Sequence, residues 1–174
     1  TNDVDELEDV IKQLQVKMDP EDIVISIGGD GSLNSIVTLF EQYGIHNDLG
    51  YIPSGSGNDF ARTHNMPIET SEAIDYLFNL KTPKELAILH ATEGDKNYYA
   101  VNSLGIGIDG AVIHNITNHS LKRVLGPATY ISGVLSAFVR LKKFPVTIRV
   151  NEGTFKFDNV QLALVTNNPF FGGG

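Results

Sequence analysis

Two consecutive strand–glycine loop–helix units constrain this chain more than anything else in it. The stretch from Asp22 to Val37, DIVISIGGDGSLNSIV, runs from a short apolar segment through Gly28, Gly29, Asp30 and Gly31 into a helical pattern. One strand later, LGYIP (49–53) leads into the loop SGSGND (54–59). A continuous apolar run bounded by turn residues, such as 22–27, reads as a strand buried on both faces. The spacing of Leu33, Ile36, Val37 and Phe40 predicts a helix from Ser32 to about Tyr43, closed by Gly44.

The flanking segments extend the alternation. Val4, Leu7, Val10, Ile11, Leu14 and Met18 recur at steps of three and four, an amphipathic helix that Asp3 or Asp5 can cap and Asp19-Pro20 ends. TSEAIDYLFNL (70–80) predicts a capped helix burying Ala73, Ile74, Leu77 and Phe78. Residues 1–82 therefore read as an α/β domain with a doubly wound parallel sheet, whose ligands sit at the carboxyl ends of the strands. Both glycine loops fall at such ends.

After KTPK (81–84) the pattern turns to β. ELAILHA and NYYAVNS flank TEGDK as a hairpin, a helix covers 127–143, and VTIRV, TFKF and VQLALVT read as strands. Residues 83–174 are expected to form a β-rich, sandwich-like second domain. Both ends are expected to be cut, because a parallel sheet seldom begins with a helix and only two strands. The closing GGG reads as a loop leading onward.

Composition narrows the function classes. A net charge of −8 argues against nonspecific nucleic-acid binding, which demands a basic footprint. There is no apolar run near 18 residues, no signal-peptide pattern at the acidic start and no cysteine, so a cytoplasmic setting is expected.

A glycine loop between strand and helix gathers unpaired N–H groups and the positive end of a helix dipole, which suits phosphate. Ser32 stands where it can cap the helix or donate to a phosphate oxygen. Asp30 beside phosphate makes sense as an acceptor for Mg²⁺ or its waters; the alternative is a tight turn with Asp30 in solvent. The second loop favours a nucleotide-polyphosphate site, because Gly55 and Gly57 open its backbone while Ser56, Asn58 and Asp59 add polar groups.

GGDGSLN (28–34), PSGSGNDFAR (53–62), NSLGIGIDG (102–110) and TNNPFFGGG (166–174) occur in that order. Together they resemble the diacylglycerol kinase catalytic domain family, in particular the bacterial soluble lipid kinases related to sphingosine kinases. GGDG alone also occurs in NAD kinases and phosphofructokinases, which share the fold; GSGNDFAR is more specific to lipid kinases. The resemblance implies that Gly28, Gly29, Asp30, Gly31, Ser32, Asn34, Gly55 and Ser56 bind nucleotide. Thr1 is similar to a threonine near the nucleotide. Asp30 and Asp59 resemble carboxylates of a metal–water network. The implied activity is ATP- and Mg²⁺-dependent phosphoryl transfer to the hydroxyl of diacylglycerol or a related lipid, by a protein transiently peripheral at the membrane. A homodimer stays open.

The pattern also departs from the family. Ser32 replaces the commoner threonine, Ser35 a glutamate, and Ala87 an aspartate that completes the metal network. The general base is expected beyond Gly174. A nucleotide-binding regulatory module without catalysis, or a kinase for a soluble acceptor such as NAD, are the other readings.

Three further motifs carry less. GIGIDG (105–110) spells GxGxxG but lacks an acidic ribose partner, which favours a structural glycine turn or a substrate-side loop. The five histidines show no metal-ligand spacing, and no serine stands in GxSxG. The helix predicted near 128–144 ends in Arg140, Lys142 and Lys143, a dipole-complementing terminus or a contact for anionic headgroups.

Overall fold

The computed structural model describes residues 4–107 and 142–169. These form a mixed α/β chain. Helix α1 spans Val4–Lys17, strand β1 Val24–Gly28, helix α2 Asp30–Tyr43 and strand β2 Leu49–Pro53. Two helices follow, α3 over Asp59–Thr63 and α4 over Thr70–Asn79. Strands β3 (Leu89–Glu93), β4 (Lys96–Ala100), β5 (Ser103–Ile106), β6 (Phe144–Val150), β7 (Gly153–Val160) and β8 (Ala163–Thr166) complete the order.

Strands β1 and β2 pair in parallel, from Val24 against Leu49 to Gly28 against Pro53. That register brings both glycine loops to one end of the ladder. The apolar stripe of α2 covers one face. Ile11, Leu39, Phe40 and Ile45 form a core with Val24 and Leu49, and Leu33, Tyr51, Ala61 and Val101 form a second. Each fully buried Leu, Ile, Val or Phe side chain among them contributes about 1.5–3 kcal/mol on burial, and Ala61 less. Gly44 ends α2 in the left-handed region (φ 62°), where a residue without a β-carbon is least strained.

Helix α4 lies on the opposite face, where the Leu77 side chain rests against Gly50. Its N-cap is Glu69, whose carboxylate accepts from Ser71 N at 2.8 Å. Of the four residues expected to be buried along α4, Ala73 is buried and Leu77 half-buried, while Ile74 and Phe78 are exposed. Among the described residues, that face of the ladder meets α4 at Gly50, with Ile25 beside it. The same geometry corrects the reading of 22–27 as buried on both faces. Ser26 is buried, but Ile25 and Ile27 on the other face are exposed.

After residue 83 the described strands pair as two-stranded ladders, and a wider sheet or sandwich is not present among the described residues. Strands β3 and β4 form the expected hairpin. Glu93 pairs with Lys96 around a two-residue turn at Gly94 (φ 58°) and Asp95. Strands β6 and β7 pair antiparallel around the turn between Val150 and Gly153, and β5 pairs with β8. Contacts divide the chain into two units: Thr1–Leu104 with Val165–Gly174, and Gly105–Leu164. In the second, Gly107 (φ 105°) packs so closely on the Phe144 ring and the Gln161 carbonyl that a β-carbon would sit 2.4 Å from that oxygen. That is a structural role for Gly107, while residues 108–110 of GIGIDG lie outside the described residues. The helix predicted over 127–143 lies almost wholly outside the described residues, and Lys142 and Lys143 carry no regular structure. No helix among the described residues is long and apolar enough to cross a membrane.

Candidate functional site

Gly29 is the N-cap of α2, in extended conformation and with no side-chain cap. The helix begins at Asp30, two residues ahead of the sequence-based start, so Ser32 is not its cap. Its side chain instead folds back on Gly28, where an added β-carbon would lie 2.7 Å from the Ser32 oxygen. The first-turn N–H groups of α2 are therefore left to water or a ligand, and the dipole favours an anion there.

The second loop is tied into a ring. Gly55 N donates to Asn58 Oδ1 at 3.0 Å, and Asn58 Nδ2 donates to the Gly55 carbonyl at 3.0 Å. Asn58 holds a left-handed conformation (φ 53°) that asparagine tolerates. Its polar groups serve the loop itself.

Asp30 joins the loops. Its carboxylate accepts from Asp59 N at 3.1 Å and Phe60 N at 3.0 Å, the first two amides of α3. Asn102 Nδ2 donates to Oδ1 at 3.0 Å. Asp30 is thus half-buried at the cavity wall and acts as a cap supplied from another element. Asn102 in turn accepts from the buried Asn168 through its side-chain oxygen. Asn167 donates from its backbone to the Asn102 carbonyl at 2.9 Å, and from its side chain to the Ala87 carbonyl at 2.9 Å.

Two more groups set the loop from below. The Tyr51 hydroxyl donates to the Gly28 carbonyl at 3.1 Å, and Ser54 N donates to the same oxygen at 2.8 Å. Burial, with the Asp30 charge adding to it, pushes the Tyr51 phenol up to about 12. Asn34 spans to the neighbouring hairpin, accepting from Val101 N at 3.0 Å and donating to the Tyr99 carbonyl at 3.4 Å.

An open cavity of about 580 Å³ lies between the loops, lined by Gly29, Asp30, Gly31, Gly55, Ser56, Gly57 and Asp59. Six of the sequence-predicted residues meet there. Gly28, Ser32 and Asn34 stand behind the lining, and Thr1 lies outside the described residues. Ala87 is exposed, and its carbonyl is held by Asn167. Asn102 and Asn168 were missed. The available signal was a polar pair directly following apolar strands, inside two of the quoted motifs. Among the described residues no group of three or more His, Cys, Asp and Glu side chains could hold a metal ion.

Fold and site define a mixed α/β chain with a cavity at the ends of two parallel strands, lined by glycines and two carboxylates and open to the uncapped first turn of α2. The profile of the diacylglycerol kinase catalytic domain matches residues 1–90. A Staphylococcus epidermidis protein named "Putative lipid kinase" is 30% identical over 158 residues, covering 88% of this chain and 48% of that protein. A crystal structure of a "putative diacylglycerol kinase" from Bacillus anthracis superposes with a TM-score of 0.67 at 27% identity, over 99% of this chain and 54% of that one. Another Bacillus anthracis structure, named a diacylglycerol kinase, gives 0.62 at 26% identity, over 95% and 52%. The chain belongs to the diacylglycerol kinase catalytic domain family. It spans about half the length of the curated relatives it matches.

Proposed function

We propose that the full-length protein is an ATP- and Mg²⁺-dependent lipid kinase, transferring the γ-phosphoryl group to the hydroxyl of diacylglycerol or a related lipid. One observation carries this: both glycine loops and the uncapped start of α2 face a single cavity large enough for a nucleotide polyphosphate. The relatives named as lipid or diacylglycerol kinases support the acceptor class.

The chain's own residues hold the donor. Backbone N–H groups of the α2 first turn and of Ser56 and Gly57 donate to phosphate oxygens, and the Ser56 hydroxyl adds a further donor. Asp30 and Asp59 line the cavity, which fits a Mg²⁺ that arrives with the nucleotide and keeps most of its water. Both Asp30 oxygens already accept N–H donors, so its hold on such an ion runs through water. When bound, the ion offsets charge on the transferring phosphoryl group. The base that takes the lipid hydroxyl proton belongs to the part of the relatives' length that this chain does not span.

A second reading, a nucleotide-binding regulatory module, has one observation in its favour. Where the resemblance leads one to expect a carboxylate, Ala87 offers only a carbonyl already bonded to Asn167.

The test uses full-length protein, Mg²⁺, γ-labelled ATP and total lipid extract in mixed micelles. Label in a chloroform-soluble product is expected. Protein that binds ATP yet labels no lipid would leave the regulatory reading standing.

A further inference from the structure

The nucleotide loop is set by an amide relay reaching it from the far end of the chain. Asn168 donates to Asn102, and Asn102 donates to Asp30 Oδ1, 72 residues away in sequence. The relay has a direction. The Asn102 oxygen is committed to Asn168, so only its NH₂ group can face Asp30, and rotation of the amide would set oxygen against carboxylate. The backbone around Asn102 is clipped as well, because Asn167 N donates to the Asn102 carbonyl and Asn167 Nδ2 to the Val101 carbonyl at 3.3 Å. Asn102 is half-buried and Asn168 is 6% exposed.

We propose that Asn102 is a positioning residue for nucleotide binding: held by Asn168, it fixes the Asp30 carboxylate that ties the first glycine loop to α3. This rests on the nucleotide-site reading above. An Asp30 without that third donor can rotate about χ2, and rotation releases the Asp59 and Phe60 amides that hold the second loop against the cavity. Asn102 acts through Asp30 and touches no nucleotide itself.

Asn102→Asp discriminates, because it keeps the acceptor for Asn168 and removes only the donor to Asp30. It sets a carboxylate against the Asp30 carboxylate at neutral pH, where like charges repel. Asn102→Leu removes both bonds.

The experiment measures Mg·ATP affinity and solvent exchange of the Asp59 and Phe60 backbone amides in full-length wild type, Asn102→Asp and Asn102→Leu at neutral pH. Faster exchange of those two amides than in wild type is expected in both variants, with affinity weakened about tenfold in Asn102→Leu, as for one lost charge-assisted bond. Wild-type affinity in both variants, or unchanged exchange of the two amides, would overturn the relay. Should neither variant fold, the wild type still decides. Slow solvent exchange of the Asn102 side-chain amide protons is expected by NMR, and fast exchange would overturn the proposal. Wild-type protein that does not bind Mg·ATP would refute the nucleotide reading alone, leaving amide exchange to judge the relay.

Discussion

Gly29 and Gly55 meet backbone to backbone: a β-carbon built on Gly55 would lie 2.5 Å from the Gly29 α-carbon. No flexible side-chain end can yield there. Gly55→Ala is expected to cost about 1–3 kcal/mol or more through overpacking, and to weaken nucleotide binding by parting the loops. Gly31 is the contrast, because a β-carbon there meets nothing within 4 Å. Gly31→Ala is expected to raise stability by up to about 1 kcal/mol through helix propensity. Chemical denaturation of both variants checks the pair, and equal losses would contradict the close approach.

Tyr51→Phe keeps the buried ring and removes the bond to the Gly28 carbonyl, a loss of about 1 kcal/mol near neutral pH. The alkaline limb gives a second signature. The folded Tyr51 value is raised to about 12 from the ordinary value near 10. Its neutral form therefore supports the fold fully below about pH 10, and that support is lost as pH rises towards about 12. In denaturation between those values the wild type is expected to lose stability faster than Tyr51→Phe. Parallel profiles would contradict the assignment.

Asn34 matches the family's phosphate-binding segment, yet its side chain serves the Val101 and Tyr99 backbone. Asn34→Ala strands a buried N–H, at a cost of about 1–3 kcal/mol. Unfolding measurements beside Mg·ATP titration should show stability falling with affinity little changed. Weakened affinity at unchanged stability would return Asn34 to the nucleotide.

Asp30→Ala removes the acceptor for three N–H donors at once. Loss of phosphoryl transfer is expected, together with destabilisation of about 3 kcal/mol, about 1 kcal/mol for each stranded donor. Turnover near wild type would contradict the role given to this loop.

What could be read from sequence was what is local. The β2 strand, the Gly44 stop and the Gly94-Asp95 turn each depend on a few adjacent residues, and their chemistry is written there. The alternation of helix and strand also brought the two glycine loops to neighbouring strand ends. It could not show that Asp30 is taken up by Asn102, because a partner 72 residues away leaves no periodic trace. Nor could it place Ser32, since a start displaced by two residues turns a cap into a helix residue resting on Gly28. Ile25 and Ile27 read as doubly buried because apolar runs report hydrophobicity and not which neighbours are present.

Hydrogen exchange of the full-length protein, with and without Mg·ATP, tests the central claim most directly, because the site is built chiefly from backbone N–H groups. Protection concentrated in peptides covering 28–33 and 54–60 is expected. Protection elsewhere, with those two loops unchanged, would contradict the placement of the nucleotide.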